Sequence, residues 1–212
     1  MLDPGHNGAN AAHPKRINRQ VDIGQGMRKA CDTTGTATSS GYSESAYTLA
    51  VARETARILR RNGAEVVLTR ENNRGVGPCI TRRARIGNQE EADAAVSIHA
   101  DGGPESGRGF HVIRPTRIDG LTDDIYADSR RLGRVLRDEY GARTGLPRST
   151  YLGTGLVARG DLGGLRLSDV PKVFIETANM RNAADARKLE SRKFRKRIAR
   201  GIAEGLIRYL SP

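Results

Sequence analysis

Two histidines of this chain follow short apolar stretches and have the chemistry to bind a metal ion. His6 comes after residues 2–5, a strand stub that breaks into a tight turn, and His99 comes directly after the buried run 94–98. Side chains at the carboxyl ends of strands in an open α/β sheet meet in the crevice beyond that edge. The pattern therefore predicts that the two imidazoles share one site.

Zinc in a hydrolytic site needs three protein ligands from His, Asp or Glu, with the fourth position left to water. His6 and His99 supply two of them. Glu44 is the best-placed third ligand, because it lies in the first turn of a helix that begins after Ser43, and a helix N-terminus favours an ionised carboxylate. From spacing alone, an ordinary first-turn acid is an equally good interpretation of Glu44.

Glu176 is the candidate general base. It follows the apolar run 173–175, so a predicted strand delivers this carboxylate to the same edge of the sheet. A carboxylate beside zinc-activated water can take up a proton from the water and pass it to a leaving nitrogen. Together these residues predict zinc-dependent hydrolysis of an amide.

The elements that must position these residues alternate between strands and helices. Apolar periodicity predicts helices over 43–63, 81–89, 125–140 and 191–210, and strands over 65–69, 94–98, 109–113 and 173–175. This order favours a single α/β domain over residues 1–212, with a mostly parallel or mixed central sheet flanked by helices on both faces. Residues 9–40 are interpreted as an irregular insertion with a hairpin around 23–27.

The composition is strongly basic. The 212 residues carry 36 Lys and Arg against 24 Asp and Glu, a net charge of +12. This charge favours polyanionic surroundings such as nucleic acid, anionic lipid or an acidic wall polymer, and does not choose among them. No apolar run approaches the roughly 20 residues that a membrane span needs. The first residues lack a signal-peptide pattern, and the abrupt opening strand favours the loss of an upstream export signal.

The chain has two cysteines, Cys31 and Cys79, which lack zinc-ribbon spacing. We expect them to form one disulfide if the protein is exported, whereas in the cytosol both would stay thiols. In the chain-entropy model, closing a loop of this size stabilises the fold by about 3 to 4 kcal/mol.

Five short motifs resemble those of one enzyme family, the zinc-dependent N-acetylmuramoyl-L-alanine amidases with a type 3 catalytic domain. In family order, they are D-P-G-H at 3–6, S-E at 43–44, T-R at 69–70, S-I-H-A at 97–100 and I-E at 175–176. The resemblance extends from residue 2 to about residue 209, essentially the whole chain. The sequence departs from the family pattern at Asn7, at Asp101 and at 178–180.

By this resemblance, His6, Glu44 and His99 bind Zn²⁺ and Glu176 is the catalytic glutamate. The bond cut is the amide between the lactyl group of N-acetylmuramic acid and the L-alanine of the stem peptide. The family is exported and acts on peptidoglycan, which implies a peptidoglycan or muropeptide substrate and a secreted, periplasmic or cell-wall location. We expect a monomer without a separate cell-wall-binding domain, a nucleic-acid partner or a membrane span.

Two other functions fit parts of the sequence. A zinc peptidase acting within the stem peptide would use the same ligands and would differ in its products. A nucleic-acid-binding protein would explain the net charge, but only 4% of the residues are aromatic and no helix-turn-helix or zinc-finger spacing is present. We therefore place nucleic-acid binding third.

Other polar residues have ordinary structural interpretations. His13 is assigned to a loop and His111 to an ordinary strand without a motif residue beside it, while Thr69 and Arg70 are expected to fix a strand end by hydrogen bonding. The basic cluster near the end of the chain is interpreted as a solvated helix face; its members are Arg187, Lys188, Arg192, Lys193, Arg195, Lys196, Arg197 and Arg200.

Overall fold

A five-stranded mixed sheet forms the centre of the molecule. The structure, a computed structural model, describes residues 1–211. The strands are β1 (Leu2–Pro4), β2 (Gln20–Asp22), β3 (Arg28–Ala30), β4 (Ala95–Asp101), β5 (His111–Pro115), β6 (Leu156–Arg159) and β7 (Lys172–Asn179). The strand order in the central sheet is β1-β4-β7-β5-β6. The helices are α1 (Pro14–Ile17), α2 (Glu44–Arg61), α3 (Ile80–Gln89), α4 (Tyr126–Thr144), α5 (Gly163–Arg166), α6 (Ala183–Glu190) and α7 (Arg192–Leu210), and a short 3-10 helix covers Asn10–Ala12.

The strand register brings three polar residues into one row across the sheet. β4 runs parallel to β1 and β7, and His99 on β4 lies opposite Glu176 on β7. β5 runs antiparallel to β7, and His111 lies opposite the same Glu176. Because directly paired residues project from the same face of a sheet, these three side chains share one face.

The other face of the sheet carries the main core. Alternation along β4 and β7 sends Val96, Ile98 and Ile175 to that face, where they are fully buried against residues of α2, α4 and α7. On the polar face, Phe174 lies within contact distance of Gly164 in α5. Helices thus cover both faces, and the predicted single α/β domain with a mixed sheet is confirmed.

Several predicted elements are confirmed close to their expected bounds. Ser43 caps α2 by accepting a hydrogen bond from the backbone N–H of Ala46, and the chain leaves this helix through Gly63 at φ +83°. A hairpin formed by β2 and β3 surrounds the turn expected at 23–27. Cys31 and Cys79 form the expected disulfide. None of the helices within residues 1–211 combines the length and apolarity needed to cross a membrane.

The predicted strand at 65–69 is wrong. This segment makes only an isolated parallel bridge, between Leu68 and Leu2, through two backbone hydrogen bonds. Its neighbour β1 is three residues long, and the chain leaves the edge of the sheet after Thr69, where the Arg70 side chain turns inward. Residues 65–69 therefore have no partner strand long enough for a continuous ladder.

The expected strand ends at the site are also corrected. β4 continues past His99 to Asp101, and β7 continues past Glu176 to Asn179, because the ladder between these strands resumes beyond an irregularity. Both site residues therefore lie inside strands, on neighbouring backbones held by hydrogen bonds on two sides.

Candidate metal centre

Three different local structures deliver the predicted ligands to one point. His6 follows β1 in a tight turn and adopts a left-handed backbone conformation, φ +58°, which is uncommon for a non-glycine residue. Glu44 is the first residue of α2, and His99 projects from β4. Residues held in such sparsely populated conformations concentrate at functional sites.

Both imidazoles face the same carboxylate oxygen. Nε2 of His6 lies 3.1 Å from Oε1 of Glu44, and Nδ1 of His99 lies 2.9 Å from that oxygen. One ligand atom from each of the three residues falls within 4.8 Å of the others. The geometry thus brings His6, Glu44 and His99 together as the sequence predicts, although their role as ligands stays a prediction.

The second nitrogen of each imidazole has its own partner. Nδ1 of His6 lies 3.1 Å from the carbonyl oxygen of Thr33, and Nε2 of His99 lies 3.3 Å from Oγ of Ser97. In a neutral His6, donation from Nδ1 to the carbonyl leaves Nε2 without a proton, facing the Glu44 oxygen as a second acceptor, whereas a protonated His6 donates from Nε2 to that oxygen. Two acceptors at this distance are stabilised by a cation between them, and this donor set fits zinc.

Two glycines make room for the cluster. A Cβ atom on Gly5 would lie 2.2 Å from Cε1 of His99, and one on Gly35 would lie 2.8 Å from both Oε2 of Glu44 and Cδ2 of His6. Any larger residue at either position would displace the imidazoles or the carboxylate.

The surroundings of Glu44 and His6 favour a negative charge on the carboxylate and a positive charge on the imidazole. Burial opposes ionisation of Glu44, but the adjacent charge of His6 and hydrogen bonds from both imidazoles outweigh it, so the pKa of Glu44 is lowered. Burial likewise opposes a charge on His6, but the Glu44 carboxylate outweighs it, and the pKa of His6 is raised. A buried carboxylate held ionised in this way is suited to bind a cation.

A buried ion-pair network centred on Asp3 lies next to the cluster, and the sequence alone does not predict it. Asp3 accepts hydrogen bonds from Arg83 at 2.8 Å, from Thr69 at 2.6 Å and from Ser97 at 2.8 Å. Ser97 in turn contacts His99, so Asp3 is linked to the candidate ligand through one hydroxyl. The sequence marks Asp3 only as part of the D-P-G-H motif, because its partners come from distant segments of the chain.

Arg70 has the structural role that was predicted for it. Its guanidinium donates to the carbonyl oxygens of Pro4, Gly5 and Ser45, and thereby ties the turn after β1 to the first turn of α2. Burial lowers the pKa of Arg70 to about 10. These bonds fix the relative positions of the segments that carry His6 and Glu44.

Glu176 lines the same cleft as the candidate ligands. Burial, and then the charges of Glu44 and Asp101, raise the pKa of its carboxyl well above the usual value. Arg159 also lines the cleft, where it is held by two hydrogen bonds to Asp161. The arrangement places a proton-accepting group and a cation beside the candidate metal ligands.

The structure corrects the interpretation of His111. The residue was expected to lie on an ordinary strand without a motif residue beside it, but it lies directly opposite Glu176. The antiparallel pairing of β5 with β7 causes this contact, and no sequence signal marks that pairing. His13 is exposed and does not join the site.

Comparison with known proteins settles the family. The family model described as N-acetylmuramoyl-L-alanine amidase matches residues 1–208. The chain belongs to this amidase family. The resemblance found in the sequence motifs is thereby confirmed.

The similarity to individual relatives covers the whole chain. The chain is 39% identical to an N-acetylmuramoyl-L-alanine amidase of Mycobacterium tuberculosis, over 100% of this chain and 86% of the relative. The crystal structure of the amidase Ami1 from Mycobacterium smegmatis superposes with a TM-score of 0.92 at 39% identity, covering 99% of this chain and 94% of that chain. Ami1 from Mycobacterium abscessus, in its apo form, gives 0.92 at 42% identity, covering 99% and 97%.

Proposed function

We propose that this amidase hydrolyses the bond between the lactyl group of N-acetylmuramic acid and the L-alanine of the peptidoglycan stem peptide. The observation that carries the proposal is the His6, Glu44 and His99 cluster, which shares a cleft with Glu176 in a chain of this family. We further propose that the enzyme acts as a monomer and that residues 1–212 form its catalytic unit.

His6, Glu44 and His99 are the proposed zinc ligands. Nε2 of His6, Nδ1 of His99 and a carboxylate oxygen of Glu44 supply three ligand atoms, and the two nitrogens lie 3.1 and 2.9 Å from that oxygen. Thr33 and Ser97 orient the two imidazoles through their second nitrogens. Zinc bound there supplies Lewis-acid chemistry, activating water and polarising the scissile carbonyl.

Glu176 is the proposed general base. Its carboxylate takes one proton from water as the water oxygen bonds to the carbonyl carbon, and it returns that proton to the nitrogen as the C–N bond breaks. The products are a lactyl carboxylate and a stem peptide with a free L-alanine amino group. The burial of Glu176 supports this role, because a buried carboxyl with a raised pKa readily holds the proton between the two steps.

The proposed location is outside the cytoplasm. The Cys31–Cys79 disulfide supports it, because such bonds persist in oxidising compartments. Peptidoglycan lies in that environment, and the net charge of +12 suits an anionic wall.

Product analysis tests the proposal. Purified enzyme and the Glu176→Gln variant are incubated with peptidoglycan and with soluble muropeptides, and the products are identified by mass spectrometry. We expect intact stem peptides with L-alanine at the amino terminus from the wild type, and a rate about 10² to 10⁴ times lower from the variant. Glu65→Gln, a change of an exposed glutamate, is the matched control and keeps the wild-type rate.

Two results would contradict the proposal. Cleavage within the stem peptide would identify a peptidase that uses the same residues. Full activity of Glu176→Gln would show that another group accepts the proton.

A further inference from the structure

His111 is buried directly beside the proposed general base. It lies opposite Glu176 in the antiparallel ladder of β5 and β7, and only 3% of its surface is exposed. Paired residues of such a ladder have Cβ atoms about 4.5 to 5.5 Å apart on the same face. The imidazole and the carboxyl group are therefore neighbours in the interior.

Both side chains carry a buried polar atom that nothing else satisfies. Among the described residues, neither Nδ1 of His111 nor Oε2 of Glu176 has a hydrogen-bond partner. Leaving such an atom unpaired costs about 1 to 3 kcal/mol. The strand positions that follow, Val112 and Ile113, are apolar, so a valine or isoleucine at 111 would satisfy the fold without this cost.

We propose that His111 is a positioning residue for Glu176, holding the carboxyl group in the orientation that receives and returns the proton. The proposal rests on the proposed function, because it assigns His111 a role only if Glu176 acts as the base. In the proposed arrangement an imidazole nitrogen of His111 donates to Oε2 of Glu176, and the other carboxylate oxygen is left for the proton.

Neutral imidazole suits both stages of the reaction. Its N–H donates to Oε2 of the carboxylate before the proton is taken up, and it keeps donating to that oxygen afterwards, because the proton binds the other oxygen, which faces the cleft. His111 therefore has no net gain or loss of a proton in the cycle.

The surroundings keep His111 neutral. Burial lowers the pKa of His111, the Arg159 guanidinium lowers it further, and the Asp101 carboxylate acts in the opposite direction without reversing the shift. Asp101 itself accepts a hydrogen bond from the Tyr151 hydroxyl at 2.8 Å, which holds its charge in place. Together with Glu176, these are the titratable and charged groups that bear on the imidazole.

Steady-state kinetics on the full-length enzyme test the proposal. His111→Leu removes the polar atoms and keeps the volume, and we expect kcat to fall about 10- to 100-fold, part of the roughly 10² to 10⁴ that a general base contributes. KM and zinc content stay at the wild-type values. His111→Asn restores a hydrogen-bonding group, and we expect it to recover at least a third of the decrease in log kcat that His111→Leu causes.

A control variant separates positioning from stability. Phe110 precedes His111 and packs against Tyr140, with ring centroids 4.7 Å apart, on the opposite face of the strand. Phe110→Leu lowers the melting temperature without changing kcat. His111→Leu shows the reverse pattern, with kcat reduced and thermal stability unchanged or raised.

A double-mutant cycle decides whether His111 acts through Glu176. In the Glu176→Gln background, we expect His111→Leu to lower kcat by less than twofold, because the group that it positions is already absent. Wild-type kcat in His111→Leu, or an equal loss in both backgrounds, overturns the proposal. Wild-type activity of Glu176→Gln instead overturns the proposed function, so the two failures are distinguishable.

Discussion

Replacing Asp3 with Asn would test the buried network behind the metal centre. Asp3 is 1% exposed and lies between two buried cations, with Arg83 at 2.8 Å and the Lys172 amine at 3.8 Å. Asn keeps the shape of the side chain and removes its charge. The Arg83 guanidinium retains Asp32 as a second partner at 3.2 Å, whereas Lys172 has no other carboxylate within 4 Å among residues 1–211.

The magnitude follows from the uncompensated charge. Removing one partner of a buried ion pair costs about 3 to 5 kcal/mol. Asp32 compensates part of the loss at Arg83, and burial already lowers the pKa of Lys172, so its amine can release a proton. Both effects favour the lower end, about 3 kcal/mol, which for a chain of this size lowers the melting temperature by about 6 to 12 °C.

The pH dependence gives a second readout. The Arg83 and Lys172 charges hold the pKa of Asp3 well below its usual value of 3.8 despite burial. A depressed carboxyl pKa stabilises the fold at every pH above that usual value, and this stabilisation is lost as the pH falls through the folded-state pKa. The contribution of the Asp3 carboxylate to stability therefore stays constant from pH 8 to 5 and is lost only in stronger acid.

Differential scanning calorimetry of the metal-free proteins measures both effects. Asp119→Asn is the matched control, because the Asp119 carboxylate is 91% exposed and its loss should leave stability unchanged. A melting temperature of Asp3→Asn within about 2 °C of the wild type at pH 7 would refute the reasoning, since it corresponds to less than about 1 kcal/mol.

Three further substitutions have expected outcomes that follow from the structure. Gly5→Ala places a Cβ atom 2.2 Å from the His99 ring, and we expect zinc affinity measured by calorimetric titration to fall at least about tenfold; unchanged affinity would show that the ring position is not critical. Joint replacement of Cys31 and Cys79 by Ser removes a crosslink that closes a loop of 48 residues, and it should lower the free energy of unfolding by about 4 kcal/mol, measured by urea unfolding. An unchanged free energy of unfolding would show that the crosslink does not restrict the unfolded chain. Because burial raises the folded-state pKa of Glu176, the wild type loses stability as pH rises above 4.5, so the melting temperature of metal-free Glu176→Gln should exceed that of the wild type by more at pH 8 than at pH 5; a constant difference would contradict this.

The sequence predicts the four central site residues from local patterns and, for Glu44, from the resemblance of its motifs to the amidase family. His6 lies in a turn, Glu44 begins a helix after a serine cap, and His99 and Glu176 each follow an apolar run within a strand. The parallel arrangement of β1, β4 and β7 then brings the strand residues to one region of the sheet. The structure confirms that convergence, while the chemical roles stay predictions.

The remaining features depend on contacts between distant segments. Asp3 meets Arg83 and Ser97 only after α3 and β4 have packed beside β1, so no local pattern marks the network. The role of His111 depends on β5 running against β7, in a sheet whose other strand pairs are parallel. The predicted strand at 65–69 failed for a related reason, because apolar character alone does not supply a partner strand.

Zinc titration tests the central claim most directly. Metal-free wild type, the variants His6→Ala, Glu44→Gln and His99→Ala, and the control His13→Ala, which changes an exposed histidine, are titrated by calorimetry. The account predicts one zinc ion per chain in the wild type and in the control, and binding weakened at least about 100-fold in each ligand variant. Wild-type zinc affinity in all three ligand variants would contradict it.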